Sequence, residues 1–229
     1  FLALQDTVAN GGTYQAADNL NGGAGTDTLT LTNSQGAAAN AAVLSNIENL
    51  VYRASAAAGH IALSDFAGVT DVTLSKFVGG TNVTDVLTSH TITFAESTAT
   101  ADTTMTYLAT GVTGAADSAT VNLNGLVAGS DLELVGAVET VTVKTVTAAS
   151  ALADLVFDAS TTALTINADE NLTVATTFTA AGAVTLTATG DSTIALGTLG
   201  ALAVGAATTT IDASAMTAGG IQVTGHANT

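Results

Sequence analysis

The chain has 229 residues, and 19 Asp and Glu against 3 Lys and Arg give it a formal net charge of -16. Nucleic acids and anionic membranes both bind clustered Lys and Arg, so this charge excludes either as the main partner. The absence of Cys excludes disulfides and Cys-ligated zinc, and no apolar run approaches the roughly 20 residues of a membrane-spanning helix.

A glycine-rich segment near the start of the chain carries the most specific motif. Residues 22–30 read Gly-Gly-Ala-Gly-Thr-Asp-Thr-Leu-Thr and match the nonapeptide G-G-x-G-x-D-x-U-x, in which U is a large aliphatic residue. Glycines let the backbone turn with its carbonyls pointing inward, and Asp supplies the hard anionic oxygen that Ca²⁺ prefers. The expected calcium ligands are Asp18, Asn21, Gly23, Gly25 and Asp27. The alternative is a tight turn that Asp27 caps.

Period-two alternation of Thr with Val, Leu, Ile or Phe predicts strands along most of the chain, since it fits a strand that is buried on one face. The pattern occurs at residues 28–32, 72–74, 91–94, 141–143 and 184–187. Two Ala-rich segments, residues 36–44 and 148–155, have helix-forming Ala runs without β-branched neighbours. They predict helices of at most about two turns.

The last third of the chain has the most regular spacing. Apolar anchors open short strands at Leu164, Leu172, Val184, Ile194, Leu202, Ile211 and Ile221. One strand and one tight turn at this spacing are typical of a two-sheet solenoid with about 18 to 20 residues per coil. The tripeptide Asp-Ala-Ser at 158–160 recurs at 212–214, which fits three coils of about 18 residues. An antiparallel sandwich with short hairpins would give similar spacing.

We therefore expect an all-β protein with parallel β-solenoid or β-roll-like coils, a β-sandwich as the alternative for part of the chain, and minor short helices. The predicted regions are a Gly/Asp-rich opening segment (1–52), a β-rich middle region (53–156) and a solenoid-like repeat region (157–229). Stacked coils would also explain the absence of Pro, because Pro cannot donate a hydrogen bond to a strand ladder.

The sequence resembles the RTX-type calcium-binding bacterial surface-layer proteins, which are exported by type I secretion. Beyond the nonapeptide, residues 46–52 (Asn-Ile-Glu-Asn-Leu-Val-Tyr) resemble the N-I-E-x-L segment that follows the Gly-rich stretch in that family, and residues 137–143 repeat its shape. The family binds Ca²⁺ between consecutive nonapeptides, whereas this chain has one clean copy. The resemblance implies that the shell is completed by a neighbouring loop, such as that around Asp6 and Asn10, by adjoining sequence or by another subunit.

The remaining polar residues give weaker signals. Asp169, followed by Glu170 and Asn171, forms the best second acidic cluster and is a further candidate metal ligand. Glu48 and Glu139 could each cap a turn or coordinate a metal ion, and the sequence favours neither role. The three His residues share no motif, and no enzyme signature is present, so we expect no catalytic activity.

The resemblance implies a structural extracellular protein at the bacterial cell surface that assembles, with calcium, into a surface layer, sheath or filament. Its partners would be further copies of itself and cell-surface polysaccharide, without nucleic acid or membrane insertion. The first alternative is an adhesin or carbohydrate-binding module of a large secreted RTX protein, with Tyr14, Tyr52 or Tyr107 as aromatic contacts. The second, a β-roll attached to a secreted protease or lipase, would carry several tandem nonapeptides.

Overall fold

The computed structural model describes residues 1–5, 12–34, 39, 42–55, 59–97, 102–180, 184–199 and 210–224. Parallel strands stack into a β-solenoid of about 8 coils, which confirms the predicted all-β solenoid. The strands are β1 (Leu2–Gln5), β2 (Asn19–Asn21), β3 (Thr28–Asn33), β4 (Val43–Ser45), β5 (Asn49–Ala54), β6 (His60–Ala62), β7 (Asp71–Ser75), β8 (Thr81–Val86), β9 (Thr91–Ala95), β10 (Asp102–Tyr107), β11 (Ser118–Asn124), β12 (Asp131–Val135), β13 (Thr140–Thr145), β14 (Ser150–Phe157), β15 (Ala163–Ala168), β16 (Leu172–Ala180), β17 (Thr185–Gly190), β18 (Thr193–Leu199), β19 (Thr210–Met216) and β20 (Gly220–Thr224).

Two long sheets form the walls of the solenoid. The front sheet contains the odd-numbered strands β1 to β19, and the back sheet contains the even-numbered strands β6 to β20. Strands β2 and β4 form a small separate sheet. Each coil has two corners. The leading corner is the segment directly before a front strand, and the trailing corner is the segment directly after it. Every strand pair in the described ranges is parallel, which is the opposite of the antiparallel sandwich kept as the alternative.

A coil is longer than the predicted 18 to 20 residues. Leu164 pairs with Leu186 on the front sheet and Leu172 with Ile194 on the back sheet, so the partners are 22 residues apart. Leu164 and Leu172 therefore belong to opposite walls of one coil. The difference arises because a coil holds two strands of six to nine residues here as well as two corners. The anchor predicted at Leu202 lies outside the described residues.

The repeated Asp-Ala-Ser tripeptide does not mark a coil period. Asp158 follows the back strand β14, whereas Asp212 lies within the front strand β19. In both copies an Asp Oδ1 accepts a hydrogen bond from the backbone N–H of the Ser two residues later, at 2.9 Å. The shared sequence therefore encodes the same local Asx-type turn at two unrelated places in the coil.

The helix predicted over residues 148–155 is wrong, because Ser150–Phe157 forms the back strand β14. Pairing with β12 and β16 on both sides, and burial of Leu152, Leu155 and Phe157, override the helical preference of the Ala residues. The helix predicted over 36–44 lies mainly outside the described residues, and its end belongs to strand β4. Single 3-10 turns occur at Leu63–Asp65 and Ala109–Gly111, and no helix in the described ranges could cross a membrane.

The core is a thin layer between the two walls, filled mainly by Val, Leu, Ile and Ala. Alternate residues of the front strands from β3 to β17 point inward, as Leu29 and Leu31 do in β3, and both are fully buried. Phe77 and Phe94 pack edge to face with ring centres 6.1 Å apart. The core is therefore close-packed mainly by small aliphatic side chains, and aromatic pairs of this kind add specific ring contacts within it.

A buried hydrogen bond connects strands β3 and β5. The Asn33 Nδ2 donates to the Tyr52 hydroxyl at 2.8 Å, and that hydroxyl also donates to the His60 carbonyl at 3.3 Å. Burial raises the pKa of Tyr52 to about 12, although the bond from Asn33 acts in the opposite direction. The phenol is therefore neutral across the physiological range and serves as a structural link.

Tyr52→Phe is expected to lower the free energy of unfolding by about 1–2 kcal/mol, because it removes the two hydrogen bonds that the hydroxyl makes, to Asn33 and to the His60 carbonyl. Urea unfolding followed by circular dichroism measures the change. Tyr107→Phe is the matched control, since Tyr107 is also buried and burial alone raises its pKa, without a hydrogen bond from a described residue. Equal losses in the two variants would contradict the role given to the Asn33–Tyr52 bond.

Candidate functional site

The predicted calcium motif forms the leading corner between β2 and β3. Gly23 and Gly25 adopt left-handed φ angles of +93° and +116° and are exposed. Gly22 is required for a different reason, because a Cβ there would lie 1.9 Å from the Asn46 carbonyl and 2.6 Å from the Asp27 Cβ. The glycines therefore allow this corner both to turn sharply and to contact the corner of the next coil.

The next coil closes over this corner through residues 45–48, which overlap the N-I-E segment noted in the sequence. The Gly22 N–H donates to the Ser45 carbonyl at 3.0 Å. The Asn46 Nδ2 donates to the Asn21 Oδ1 at 2.9 Å, and the Asp27 N–H donates to the Glu48 Oε2 at 2.9 Å. Two consecutive coils are thus joined at the position where the resemblance implies a calcium ion.

The structure brings together only some of the predicted ligands. Asn21, Gly23, Gly25 and Asp27 share this corner, whereas Asp18 lies before β2 and accepts a bond from the Gln15 N–H at 2.8 Å. Asp169 lies in the trailing corner after β15, six strands along the front sheet from β3, or roughly 29 Å at about 4.8 Å per strand. The loop around Asp6 and Asn10, proposed to complete the shell, lies outside the described residues.

The oxygen atoms of this corner are of the kind that calcium prefers, but few are carboxylates. The Asp27 Oδ2 is buried and has no hydrogen-bond partner among the described residues. The Asn21 Oδ1 already accepts from the Gly23 N–H and the Asn46 Nδ2. No group of three or more acidic or His side chains converges on a metal-sized site in the described ranges. Calcium here would use Asp27 with amide, carbonyl and water oxygens, which its flexible coordination accepts.

The two N-I-E-like segments share one geometry. The Glu139 Oε2 accepts from the Asp117 N–H at 2.8 Å, as the Glu48 Oε2 accepts from the Asp27 N–H. The residue before each Glu, Ile47 or Val138, is buried in the core. Each Glu therefore reaches back one coil and caps the backbone of the preceding leading corner. Of the two roles that the sequence left open, the structure shows the cap.

A column of aspartates on the back sheet was missed by the sequence reasoning. Asp102 pairs in register with Asp131, and Asp131 with Asp154, so three carboxylates stand on neighbouring strands. The Asp154 N–H donates to the Asp131 Oδ1 at 3.0 Å, while the Asp154 Oδ1 is buried without a partner among the described residues. The three positions are unequally spaced along the chain, so only the true coil register could reveal the column.

Burial raises the pKa of Asp131, and the neighbouring charges of Asp102 and Asp154 raise it further. Glu133, two residues along the same strand, adds a fourth acid to this face. A carboxyl whose pKa is higher in the folded than in the unfolded state stabilises the fold at acid pH. That stabilisation is lost as the pH rises through the folded-state pKa of Asp131. Above it, the negative charges of Asp102, Asp131 and Asp154 repel one another across neighbouring strands.

Asp131→Asn is accordingly expected to stabilise the protein by about 1 kcal/mol at neutral pH, where it removes the central charge of the column. At a pH below the ordinary range of Asp the gain should vanish. Urea unfolding at both pH values measures it. Asp71→Asn is the control, because Asp71 pairs with Asn49 and Thr91 rather than with acids. A loss of stability at neutral pH in Asp131→Asn, or an equal gain in Asp71→Asn, would contradict this reading.

The tyrosines expected to serve as aromatic contacts in the adhesin alternative lie in the core. Tyr14, Tyr52 and Tyr107 expose 1%, 0% and 4% of their surface, and Tyr14 stacks on Phe66 with ring centres 6.4 Å apart. They therefore contribute packing to the solenoid and do not line a surface site.

Compared with known proteins, the chain matches no family model, no curated protein and no solved structure.

Proposed function

We propose that the protein is an extracellular structural protein that assembles with copies of itself, with calcium, into a bacterial surface layer, sheath or filament. The observation that carries the proposal is the long, regular solenoid, whose front sheet of ten parallel strands offers a repeating outer face. Solenoids of this kind provide extended surfaces on which identical subunits can meet repeatedly.

The outer face of the front sheet contains a neutral region suited to subunit contact. Four threonines pair in register on successive strands: Thr120, Thr142, Thr165 and Thr187. All belong to the half-buried outer side of their strands. On a chain with a net charge of -16, like-charged copies approach most easily where the surface carries hydroxyls rather than carboxylates. This column therefore supports the front sheet as the contact face.

Calcium would act at the corner of residues 22–27 and on the acidic surface as a whole. At the corner, Asp27 offers a buried Oδ2 without a partner among the described residues, and nearby amide, carbonyl and water oxygens would complete the shell. An ion that binds only the folded chain stabilises it by mass action. It would also reduce the repulsion between copies, which links folding outside the cell to assembly.

An extracellular location and type I export are part of the same proposal. The resemblance to RTX surface-layer proteins supports both, through the nonapeptide at 22–30 and the N-I-E segment at 46–52. A chain without Cys also suits export, because no incorrect disulfide can form in an oxidising exterior.

Electron microscopy and sedimentation of the purified protein, in calcium and in excess EGTA, test this function. We expect ordered sheets or fibres in calcium that disperse on chelation. Thr142→Glu should prevent assembly by placing charge in the neutral column. Thr173→Glu, at an exposed position on the back sheet, should leave it intact. A monodisperse monomer that is indifferent to calcium would overturn the proposal.

A further inference from the structure

Three successive leading corners enclose a groove of about 360 Å³. The corners are residues 63–70 between β6 and β7, residues 87–90 between β8 and β9, and residues 108–117 between β10 and β11. The middle corner has four residues, whereas its neighbours have eight and ten. The short corner therefore lies recessed between two longer ones, which makes this part of the surface concave.

The floor of the groove is apolar. Leu63, Phe66 and Val69 are buried beneath it, and Leu87 and Leu108 line it. Leu87 exposes 36% of its surface and is one of few large apolar side chains on the described surface. An exposed apolar side chain inside a concavity is a feature of ligand sites, because a ligand can cover it.

His90 supplies a hydrogen-bond donor of fixed orientation. The Leu87 N–H donates to the His90 Nδ1 at 3.0 Å, which places the ring proton on Nε2. Burial lowers the pKa of His90, so the imidazole stays neutral at physiological pH. His90 therefore presents an N–H donor to the groove and no positive charge.

Asp85 supplies an acceptor at the same groove. It has a left-handed φ of +58° and lies where β8 shifts register against β10, so the irregularity redirects its side chain. The Ser64 hydroxyl donates to the Asp85 Oδ2 at 2.6 Å, which orients the carboxylate and leaves Oδ1 as an acceptor. Ser89 and Thr70 add hydroxyls at the rim. The Ser64 bond runs to Asp85 and the His90 Nδ1 bond to the backbone, so these residues do not form a Ser–His relay.

The combination of these groups selects a class of ligand. No Lys or Arg lines the groove, and Asp85 repels anions, so phosphates and acidic sugars are disfavoured. A neutral sugar ring fits, because its hydroxyls can accept from one neighbour and donate to another while its C–H face covers apolar side chains. The volume suits a ligand of one or two rings.

We propose that this groove binds a neutral pyranose, with its C–H face on Leu87 and Leu108 and its hydroxyls hydrogen-bonded to Asp85 and His90. The site goes beyond the proposed assembly and does not depend on it. Since the floor exposes no aromatic ring and a single sugar has few atoms, we expect a dissociation constant in about the millimolar range.

Nuclear magnetic resonance of the full chain with ¹³C-labelled His tests the proposal, with glucose, N-acetylglucosamine and their short oligosaccharides as probes. The His90 ring signals should shift saturably, while those of His60, on the back strand β6, should not move. Tighter binding of the oligosaccharides would identify a glycan chain as the source, and equal binding would identify a free sugar. The proposal would be overturned if none of the sugars produced a saturable shift. It would also be overturned if only methylammonium, a small cation that Asp85 could attract, produced one.

Two exposed apolar residues provide the matched variants. Leu87→Ala should weaken sugar binding by about tenfold, because it removes one of the two apolar side chains on which the C–H face would lie. Val127→Ala, at a position that is 40% exposed outside the groove, should leave binding unchanged. If both variants bind the sugars as the wild type does, the groove is not the site and the inference fails.

Discussion

Phe94→Ala is expected to lower the free energy of unfolding by about 4 kcal/mol. Phe94 is fully buried in front strand β9 and packs edge to face on Phe77 of the preceding coil. Truncation would leave a cavity in a core only one layer thick, where few neighbours can move in to fill it.

Chemical denaturation measures this loss of stability, and two further variants serve as comparisons. Phe94→Leu should cost clearly less, because Leu fills much of the same volume. Leu2→Ala should have almost no effect, since Leu2 is 84% exposed on β1. If Phe94→Ala were no more destabilising than Leu2→Ala, the inter-wall core described here would be wrong.

Gly190→Ala is expected to lower the free energy of unfolding by about 3 kcal/mol or more. Gly190 ends β17 with a φ of +103°, and an added Cβ would lie 2.3 Å from the Ala168 carbonyl oxygen of the adjacent coil. The substitution combines left-handed strain with a backbone collision that no side-chain rotation can relieve.

Gly68→Ala separates the two components of this cost. Gly68 also has a left-handed φ, of +89°, but the nearest atom to an added Cβ is the Ile47 carbonyl oxygen at 3.8 Å. We expect a loss of about 1–2 kcal/mol from strain alone. A similar loss for both variants in thermal or urea unfolding would show that the coils do not approach as closely at Gly190 as the structure indicates.

The front strands could be predicted from local sequence because their burial alternates residue by residue. The patterns at 28–32, 91–94 and 141–143 lie within β3, β9 and β13, each with alternating buried and outward residues. The pattern also predicts that each strand has one face in the core. Which wall a strand belongs to depends on its partners in other coils, and the pattern contains no such information.

The coil length could not be predicted because corners vary in length. In the described ranges, leading corners vary from three residues (46–48) to ten (108–117), so neither strand spacing nor the Asp-Ala-Ser repeat fixes a period. The helix predicted over 148–155 was wrong for a related reason. The Ala residues of β14 are held in a strand by backbone pairing with β12 and β16, which lie in other coils.

The candidate site was partly predictable for the same reasons. The nonapeptide is contiguous, so Gly23, Gly25 and Asp27 were found together, with Asn21 directly before them. The contribution of Asn46 and Glu48 comes from the next coil and follows only from the register. The aspartate column and the groove beside His90 depend on register and corner length respectively, and neither leaves a local signal.

The coil register underlies every site described, and disulfide trapping tests it directly in this chain without Cys. Thr142 and Thr165 are register partners on the outer face of the front sheet. Neighbouring parallel strands lie about 4.8 Å apart, within the Cα separation of roughly 4.4–6.8 Å that a disulfide spans. A coil of about 18 residues would instead place Ser160 beside Thr142.

Mild oxidation of two double variants, followed by mass spectrometry, distinguishes these registers. Thr142→Cys with Thr165→Cys is predicted to form an intramolecular disulfide, and Thr142→Cys with Ser160→Cys is predicted to keep two free thiols. A disulfide in the second pair, without one in the first, would contradict the stacked coils on which the calcium corner, the contact face and the groove all depend.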